Sequence, residues 1–140
     1  MIKLRYTFLI FSFLFLSNAN AELNNFQKGK NLFEDKKYNL AKFKFEQDIV
    51  FNPKNENSYL YLAKIYNFEK NDNQEEKNLN TVILLNPKNE EAIYNLAKLK
   101  LDASDYQKSK ELNDRLNNIC EKFCNKSKKL KVEIENLSKK

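Results

Sequence analysis

The sequence of 140 residues contains no histidine and no tryptophan, one glycine, two prolines and two cysteines. Histidine is the usual general base and the commonest metal ligand, so His-dependent catalytic triads and His-ligated zinc sites are excluded. β-Hairpins depend on turn residues such as glycine, which this composition hardly supplies. Lysine, asparagine, glutamate and leucine are abundant instead. The composition predicts a single small all-α domain and favours neither an enzyme nor a cofactor or metal site.

The N-terminal segment, 1–21, has the three parts of a secretory signal peptide. Lys3 and Arg5 precede an apolar run from Tyr6 to Leu16, and Ala19-Asn20-Ala21 offers small side chains to a signal peptidase. An uncleaved membrane anchor is the alternative, but a spanning helix needs roughly 20 apolar residues. We expect this segment to be removed after Ala21 and the remaining chain to be exported to a bacterial periplasm or secreted.

An internal repeat of constant period runs through the rest of the chain. The sequence Asn-Pro-Lys-Asn at 52–55 recurs at 86–89, and Leu-Ala-Lys-Ile at 62–65 recurs as Leu-Ala-Lys-Leu at 96–99. Two independent matches with one spacing are the signature of a repeat architecture. They divide the chain into three units, at 22–55, 56–89 and 90–123.

Each unit has the apolar pattern of two short amphipathic helices. In the second unit, Leu62, Ile65 and Tyr66 occupy one helical face of the first half, and the second half of each unit carries a similar stripe. Polar residues interrupt each unit near its midpoint and can cap the helix that follows. Pro53 and Pro87 end the second helix of their units, because proline disfavours helical geometry in the residue before it.

These units resemble the tetratricopeptide repeat (TPR) family, whose unit of about 34 residues consists of helix, turn and helix. The small residue midway along the first helix is Gly29, Ala63 and Ala97, and the aromatic residue that opens the second helix is Tyr38 and Tyr106. Small side chains suit the first position because two helix axes approach there to about 8–10 Å. The resemblance implies an α-solenoid of three helix-turn-helix repeats that binds other proteins without catalysis.

Several positions depart from the family pattern. Glu75 stands where the first unit has Ala41, which predicts loose packing or a shifted register for the second helix of the second unit. Lys28 and Lys100 replace apolar residues, which predicts that the first and third units are less regular than the second.

One more amphipathic segment follows the third unit, at residues 124–140. Leu130, Ile134 and Leu137 recur at helical spacing among lysines. A stack of repeats leaves an apolar face exposed at its end, and a helix with one apolar and one charged face covers it. We therefore expect a basic C-terminal capping helix. The alternative function for its lysines is weak association with anionic lipid or cell-wall polymer at the envelope surface.

Cys120 and Cys124 are the only cysteines, and an exported chain meets an oxidising compartment. In the repeat frame Cys120 ends one helix and Cys124 begins the next, so a disulfide would staple the turn between them. Free thiols are the alternative. The spacing is not the C-x-x-C of redox motifs, and two cysteines supply too few ligands for structural zinc.

The resemblance also implies a concave groove lined by the first helix of each repeat. Three lysines recur at the repeat spacing, with an apolar row beside them, and together they would suit a protein or peptide partner that carries carboxylates and apolar anchors. The alternative is that the lysines only solvate a helix face. Nucleic acid is a disfavoured partner, because arginine is scarce and because an exported protein is separated from the nucleic acids of the cell. The candidate groove residues are Phe26, Lys30, Phe33, Leu60, Lys64, Asn67, Tyr94, Lys98 and Leu101.

Overall fold

The computed structural model describes residues 25–139, which form seven α-helices and no strand. The predicted signal peptide, residues 1–21, lies outside the described residues. No helix within 25–139 is long and apolar enough to cross a bilayer. The predicted all-α solenoid with a C-terminal helix is confirmed. Its helices are α1 (Asn25–Glu34), α2 (Tyr38–Phe51), α3 (Glu56–Phe68), α4 (Asp72–Leu85), α5 (Glu90–Asp102), α6 (Tyr106–Ile119) and α7 (Cys124–Leu137).

Corresponding helices of the three repeats keep one register. Helices α2, α4 and α6 each contain 14 residues, and each begins at the same position of its repeat unit. The shifted register or loose packing predicted for α4 is therefore wrong. Leu79 and Val82 are fully buried and hold α4 in place although Glu75 brings a carboxyl group to the same helix. The third unit was predicted to be less regular, but α5 contains 13 residues, as α3 does. The charge of Lys100 is paired with Glu76 at 2.5 Å.

The turn inside each repeat contains one residue in the left-handed region. Lys36, Lys70 and Ser104 have φ angles of 59°, 58° and 61°, and they too occupy equivalent positions of the three units. Each turn is closed by a backbone hydrogen bond that spans five residues, which satisfies carbonyls at the end of the first helix. Asn71 and Asp105 then cap α4 and α6 by accepting a backbone N–H with their side chains.

The junctions between repeats are built from polar side chains. Asn55 and Asn89 cap α3 and α5. Glu56 accepts hydrogen bonds from the amides of Asn86 and Asn89, at 2.9 and 3.3 Å. Its counterpart Glu90 accepts from the backbone N–H groups of residues 121–123, at 3.0, 3.0 and 2.7 Å. Burial would raise the pKa of Glu90, but these three donors outweigh it and lower the pKa. Glu90 thus fastens the turn that leads into α7.

The small residue of the first repeat allows α1 and α2 to approach closely. A Cβ atom on Gly29 would lie 2.8 Å from Cε1 and 2.9 Å from Cδ1 of Phe45. The Phe45 side chain is fully buried in the N-terminal core cluster. Ala63 and Ala97 fill the same position in the other repeats and are also buried. The position therefore needs a small side chain, as the family pattern predicts.

Helix α7 covers the end of the solenoid. Leu130 and Ile134 are buried and join the larger core cluster, which α3 to α7 build together. Asn113 of α6 donates to the carbonyl of Ser127 at 3.1 Å, which ties the two helices together. Cys120, which caps the C-terminus of α6, and Cys124, the first residue of α7, are joined by a disulfide with a Cα–Cα distance of 5.2 Å.

Candidate functional site

A polar pocket of about 250 Å³ lies between α3 and α5, and Glu75 of α4 contributes to its lining. Three predicted groove residues, two lysines and one asparagine, lie together in it. Glu91 also follows from the repeat position that faces the groove, whereas Glu75, Asn95 and Asp102 were not predicted as parts of this site. The lining consists of Lys64, Asn67, Phe68, Glu75, Glu91, Asn95, Lys98, Leu99 and Asp102.

Both lysines of the pocket are engaged in ion pairs with neighbouring helices. Lys64 of α3 contacts Glu91 of α5 at 2.7 Å. Lys98 of α5 contacts Glu133 of α7 at 3.0 Å and Asp102 at 3.9 Å. Burial alone would lower the pKa of Lys98, but the hydrogen bond to Glu133 and the charge of Asp102 outweigh it and raise the pKa. These pairs neutralise the lysine row within the protein itself.

The third lysine of the predicted row lies apart from the pocket. Lys30 is on α1, where it faces Glu34 at 3.8 Å one helical turn away. All three lysines therefore have an acidic neighbour, but only Lys64 and Lys98 line the same pocket.

Glu75 is a buried carboxyl group at the edge of the pocket. Only 3% of the residue is exposed, and its carboxylate accepts a hydrogen bond from the Asn67 amide at 3.0 Å. Burial raises the pKa of Glu75, and the hydrogen bond from Asn67 opposes the rise without cancelling it. The nearby charges of Asp72 and Asp102 raise the pKa further.

The two phenylalanines predicted for the groove belong to an aromatic cluster. Phe26 and Phe33 of α1 both contact Tyr61 of α3, with ring centroids 5.8 and 5.0 Å apart. Phe26 also packs on Phe45, and Phe33 on Phe68. These contacts join the first repeat to the second. Since both phenylalanines are half-buried, only part of each ring is available to a partner.

The remaining apolar candidates differ in exposure. Leu60 and Leu101 are 6% and 3% exposed because they pack into the larger core cluster, so they offer almost no surface to a partner. Tyr94 is half-buried, packs on Phe123 with ring centroids 5.7 Å apart, and lies 5.3 Å from the Lys126 ammonium. We therefore treat Leu60 and Leu101 as core residues and keep Tyr94 as a surface residue near α7.

The pocket has the chemistry of a binding site for polar and charged groups. Carboxylates, ammonium groups and two amides converge on it, and Phe68 and Leu99 supply its apolar wall. Within residues 25–139 no group of three or more Cys, Asp and Glu side chains is arranged to hold a metal ion. Besides the predicted groove residues, the sequence signal for the buried acid of this site was Glu75 itself, a charge at a position where the other repeats have Ala41 and Ser109.

No protein-family model matches the sequence, and no curated protein matches it either. Solved structures that match the fold include TPR domains and a type III secretion chaperone. The TPR2B domain of yeast Sti1, in a complex with pHsp70, matches with a TM-score of 0.75 at 14% identity, over 81% of this chain and 94% of that chain. The type III secretion chaperone SycD of Yersinia enterocolitica, in complex with a peptide of the translocator YopD, matches with a TM-score of 0.73 at 13% identity, over 83% and 92%.

The first TPR domain of Spaghetti (RPAP3), bound to the HSP90 peptide SRMEEVD, matches with a TM-score of 0.69 at 18% identity, over 81% of this chain and 92% of that chain. At sequence identities this low, the structural matches establish how the helices are arranged but do not identify a ligand. This protein has the TPR fold, with three helix-turn-helix repeats and a C-terminal capping helix.

Proposed function

We propose that this protein is a non-catalytic scaffold that binds a peptide segment of a partner protein in the groove between α3 and α5. The polar pocket lined by Lys64, Asn67 and Lys98 is the observation that carries the proposal. The fold adds support, because similar domains have been solved with peptides of HSP90 and of the translocator YopD.

The lysines of the pocket can exchange their internal acidic partners for carboxylates of a ligand. Lys64 and Lys98 and their acidic partners are all partly exposed to solvent. Exposed ion pairs contribute only about 0–1 kcal/mol each, so exchanging Glu91 or Glu133 for a ligand carboxylate costs little. The HSP90 peptide bound by the RPAP3 domain, SRMEEVD, itself has three acidic side chains. The proposed partner segment therefore includes acidic residues.

Selection from a displayed library of random short peptides tests this function. The purified protein is immobilised, and binding of the enriched peptides is then followed by NMR titration. We expect chemical-shift changes at Lys64, Asn67 and Lys98 and none at Leu84, which lies on another surface with 81% of its area exposed. If no peptide is enriched above the blank support, or if the shifts map outside the pocket, the proposal is wrong.

A charge variant with a matched control sharpens the test. Lys98→Gln removes one half of a charge-assisted contact, which should weaken binding about tenfold. Lys108→Gln removes the same charge on α6 and should leave binding unchanged, because within residues 25–139 Lys108 pairs only with Glu111 at the surface. Equal losses from both variants would mean that net charge alone attracts the peptides.

We further propose that the protein works in the bacterial periplasm after cleavage following Ala21. The three-part pattern of residues 1–21 supports this compartment. The disulfide between Cys120 and Cys124 supports it too, because disulfides persist in oxidising compartments. N-terminal sequencing of the protein from a periplasmic extract should begin at Glu22. Recovery of the uncleaved chain from the cytoplasm would contradict the proposal.

An envelope-associated role for α7 is the second candidate. Lys126, Lys128, Lys129 and Lys131 form no ion pair within the described part of the chain, and all four are exposed. Replacing these four with glutamine leaves Leu130 and Ile134 in the core, unlike a deletion of the helix. If the lysines hold the protein at the envelope, the variant should lose its binding to vesicles that contain phosphatidylglycerol. Unchanged binding would remove this candidate.

A further inference from the structure

The same buried position in the second helix of each repeat holds three different side chains. It is Ala41 in α2, Glu75 in α4 and Ser109 in α6, each one repeat after the one before. Ala41 and Ser109 are fully buried, and Ser109 donates a hydrogen bond to the carbonyl of Ala97 at 2.8 Å. Small side chains thus satisfy the packing of this position. The longer Glu75 side chain instead reaches the pocket, so packing alone does not account for its carboxyl group.

The carboxyl group of Glu75 forms no ion pair within residues 25–139, and the charge of Lys70 acts on it only from a distance. Its hydrogen-bond donor is the neutral amide of Asn67. The two lysines of the pocket are committed elsewhere, Lys64 to Glu91 and Lys98 to Glu133. A buried carboxylate without a counter-ion is costly, and it is stabilised strongly when a cation reaches it.

The remaining charges of the pocket also favour a cation. Three acidic residues line it, Glu75, Glu91 and Asp102, against two lysines. A ligand carboxylate has to displace an internal acid before it reaches a lysine, whereas a ligand ammonium or guanidinium can contact Glu75 without displacing any internal cation. The volume of about 250 Å³ is below the roughly 300–1,000 Å³ of small-molecule sites, so it fits one side chain of a larger ligand.

We propose that Glu75 recognises a lysine or arginine side chain of the peptide that occupies the groove. This refinement rests on the proposed function, because it assumes that a peptide binds between α3 and α5. The basic side chain enters beside Asn67, and its cation forms a charge-assisted hydrogen bond with the Glu75 carboxylate. The peptide is therefore of mixed charge, with one basic residue that meets Glu75 and acidic residues that meet Lys64 and Lys98.

The variant Glu75→Gln separates recognition from folding. A glutamine side chain keeps an oxygen that can accept the hydrogen bond from Asn67, and it removes only the charge. Burying a neutral amide costs less than burying a carboxylate, so the variant should fold at least as well as the native protein. Glu111→Gln is the matched control, because Glu111 is an exposed acid on α6 that pairs with Lys108.

The test compares peptide selections on the native protein and on both variants. We expect a lysine or arginine at one peptide position on the native protein and on Glu111→Gln, and no such preference on Glu75→Gln. Replacing that basic residue with norleucine should weaken binding to the native protein about tenfold or more, and should hardly affect binding to Glu75→Gln.

The outcomes distinguish the two proposals. Peptides that bind the groove without a basic preference, or with one that survives in Glu75→Gln, would overturn the role of Glu75 and leave the peptide-binding function intact. A selection that enriches no peptide on any of the three proteins would overturn the peptide-binding function itself. Equal losses on norleucine substitution in the native protein and in Glu75→Gln would also refute direct recognition by Glu75.

Discussion

Replacing Gly29 with alanine measures how tightly α1 packs on α2. The added Cβ would lie 2.8 and 2.9 Å from two ring carbons of Phe45, whose ring is 0% exposed and cannot turn away into solvent. Overpacking of this kind costs about 1–3 kcal/mol, while alanine gains about 1 kcal/mol over glycine in a helix. We expect Gly29→Ala to lower the free energy of unfolding by about 1 kcal/mol.

Urea unfolding followed by far-UV circular dichroism gives this difference by linear extrapolation. A double-variant cycle identifies the cause. Phe45→Leu removes the ring atoms that the new methyl group meets, so Gly29→Ala should stabilise the Phe45→Leu protein by up to about 1 kcal/mol. If Gly29→Ala stabilises the native protein by as much as it stabilises Phe45→Leu, the two helices do not approach as described.

Three further predictions concern the disulfide, a turn and a buried carboxyl. Replacing Cys120 and Cys124 with serine should lower the free energy of unfolding by about 2 kcal/mol, as the entropy of a very short loop predicts. If the native protein unfolds identically with and without reductant, the two cysteines do not form a disulfide. Lys70→Gly should raise stability by about 0.5–1 kcal/mol in the same urea assay, because glycine accepts a φ of 58° without strain; a loss would contradict the left-handed turn. Because burial raises the pKa of Glu75, the folded state holds its proton more tightly than the unfolded state, and the stability this confers is lost as the pH rises through the raised pKa. Unfolding is therefore measured at several pH values for Glu75→Gln and for the native protein. The free energy of unfolding of the variant should increase relative to that of the native protein as the pH rises above 4.5. If the difference between the two free energies stays constant, the burial of the charge is refuted.

Much of the helical framework follows from local sequence signals. The helix ends just before Pro53 and Pro87 and the asparagine caps at 55 and 89 depend only on neighbouring residues. The repeat period carries these signals through the chain, which is why α2, α4 and α6 begin at matching positions. The need for a small residue at Gly29 can also be predicted from the sequence, because few side chains fit where two helices approach closely.

The ion pairs of the groove could not be predicted from local sequence signals. A row of lysines at constant spacing looks free in the sequence, yet Glu91 reaches Lys64 from the next repeat and Glu133 reaches Lys98 from the capping helix. Such partners depend on how helices cross. The same holds for Leu60 and Leu101, whose burial is decided by contacts with other helices and not by their own repeat position.

The register of α4 shows a different limit. A charge at Glu75 is unfavourable in a packed interface, and the sequence therefore predicted a disturbed helix. Its neighbours Leu79 and Val82 supply enough buried surface to keep α4 in register, and the carboxyl group is placed beside Asn67 at the edge of a pocket. A departure from a repeat pattern thus marked a feature of the candidate site and not a fault in the fold.

Site-specific photo-crosslinking in living cells tests the central claim, that the groove binds a partner. A photoreactive amino acid replaces Asn95, which lines the pocket, or Leu84, an exposed residue of α4 outside it. Mass spectrometry then identifies the crosslinked peptides. We expect one recurring partner segment, with acidic residues, from position 95 and not from position 84. The yield of this crosslink should fall in Lys98→Gln, in line with the weaker binding expected for that variant. Adducts from position 84 alone, or equal adducts from both positions, would contradict the claim.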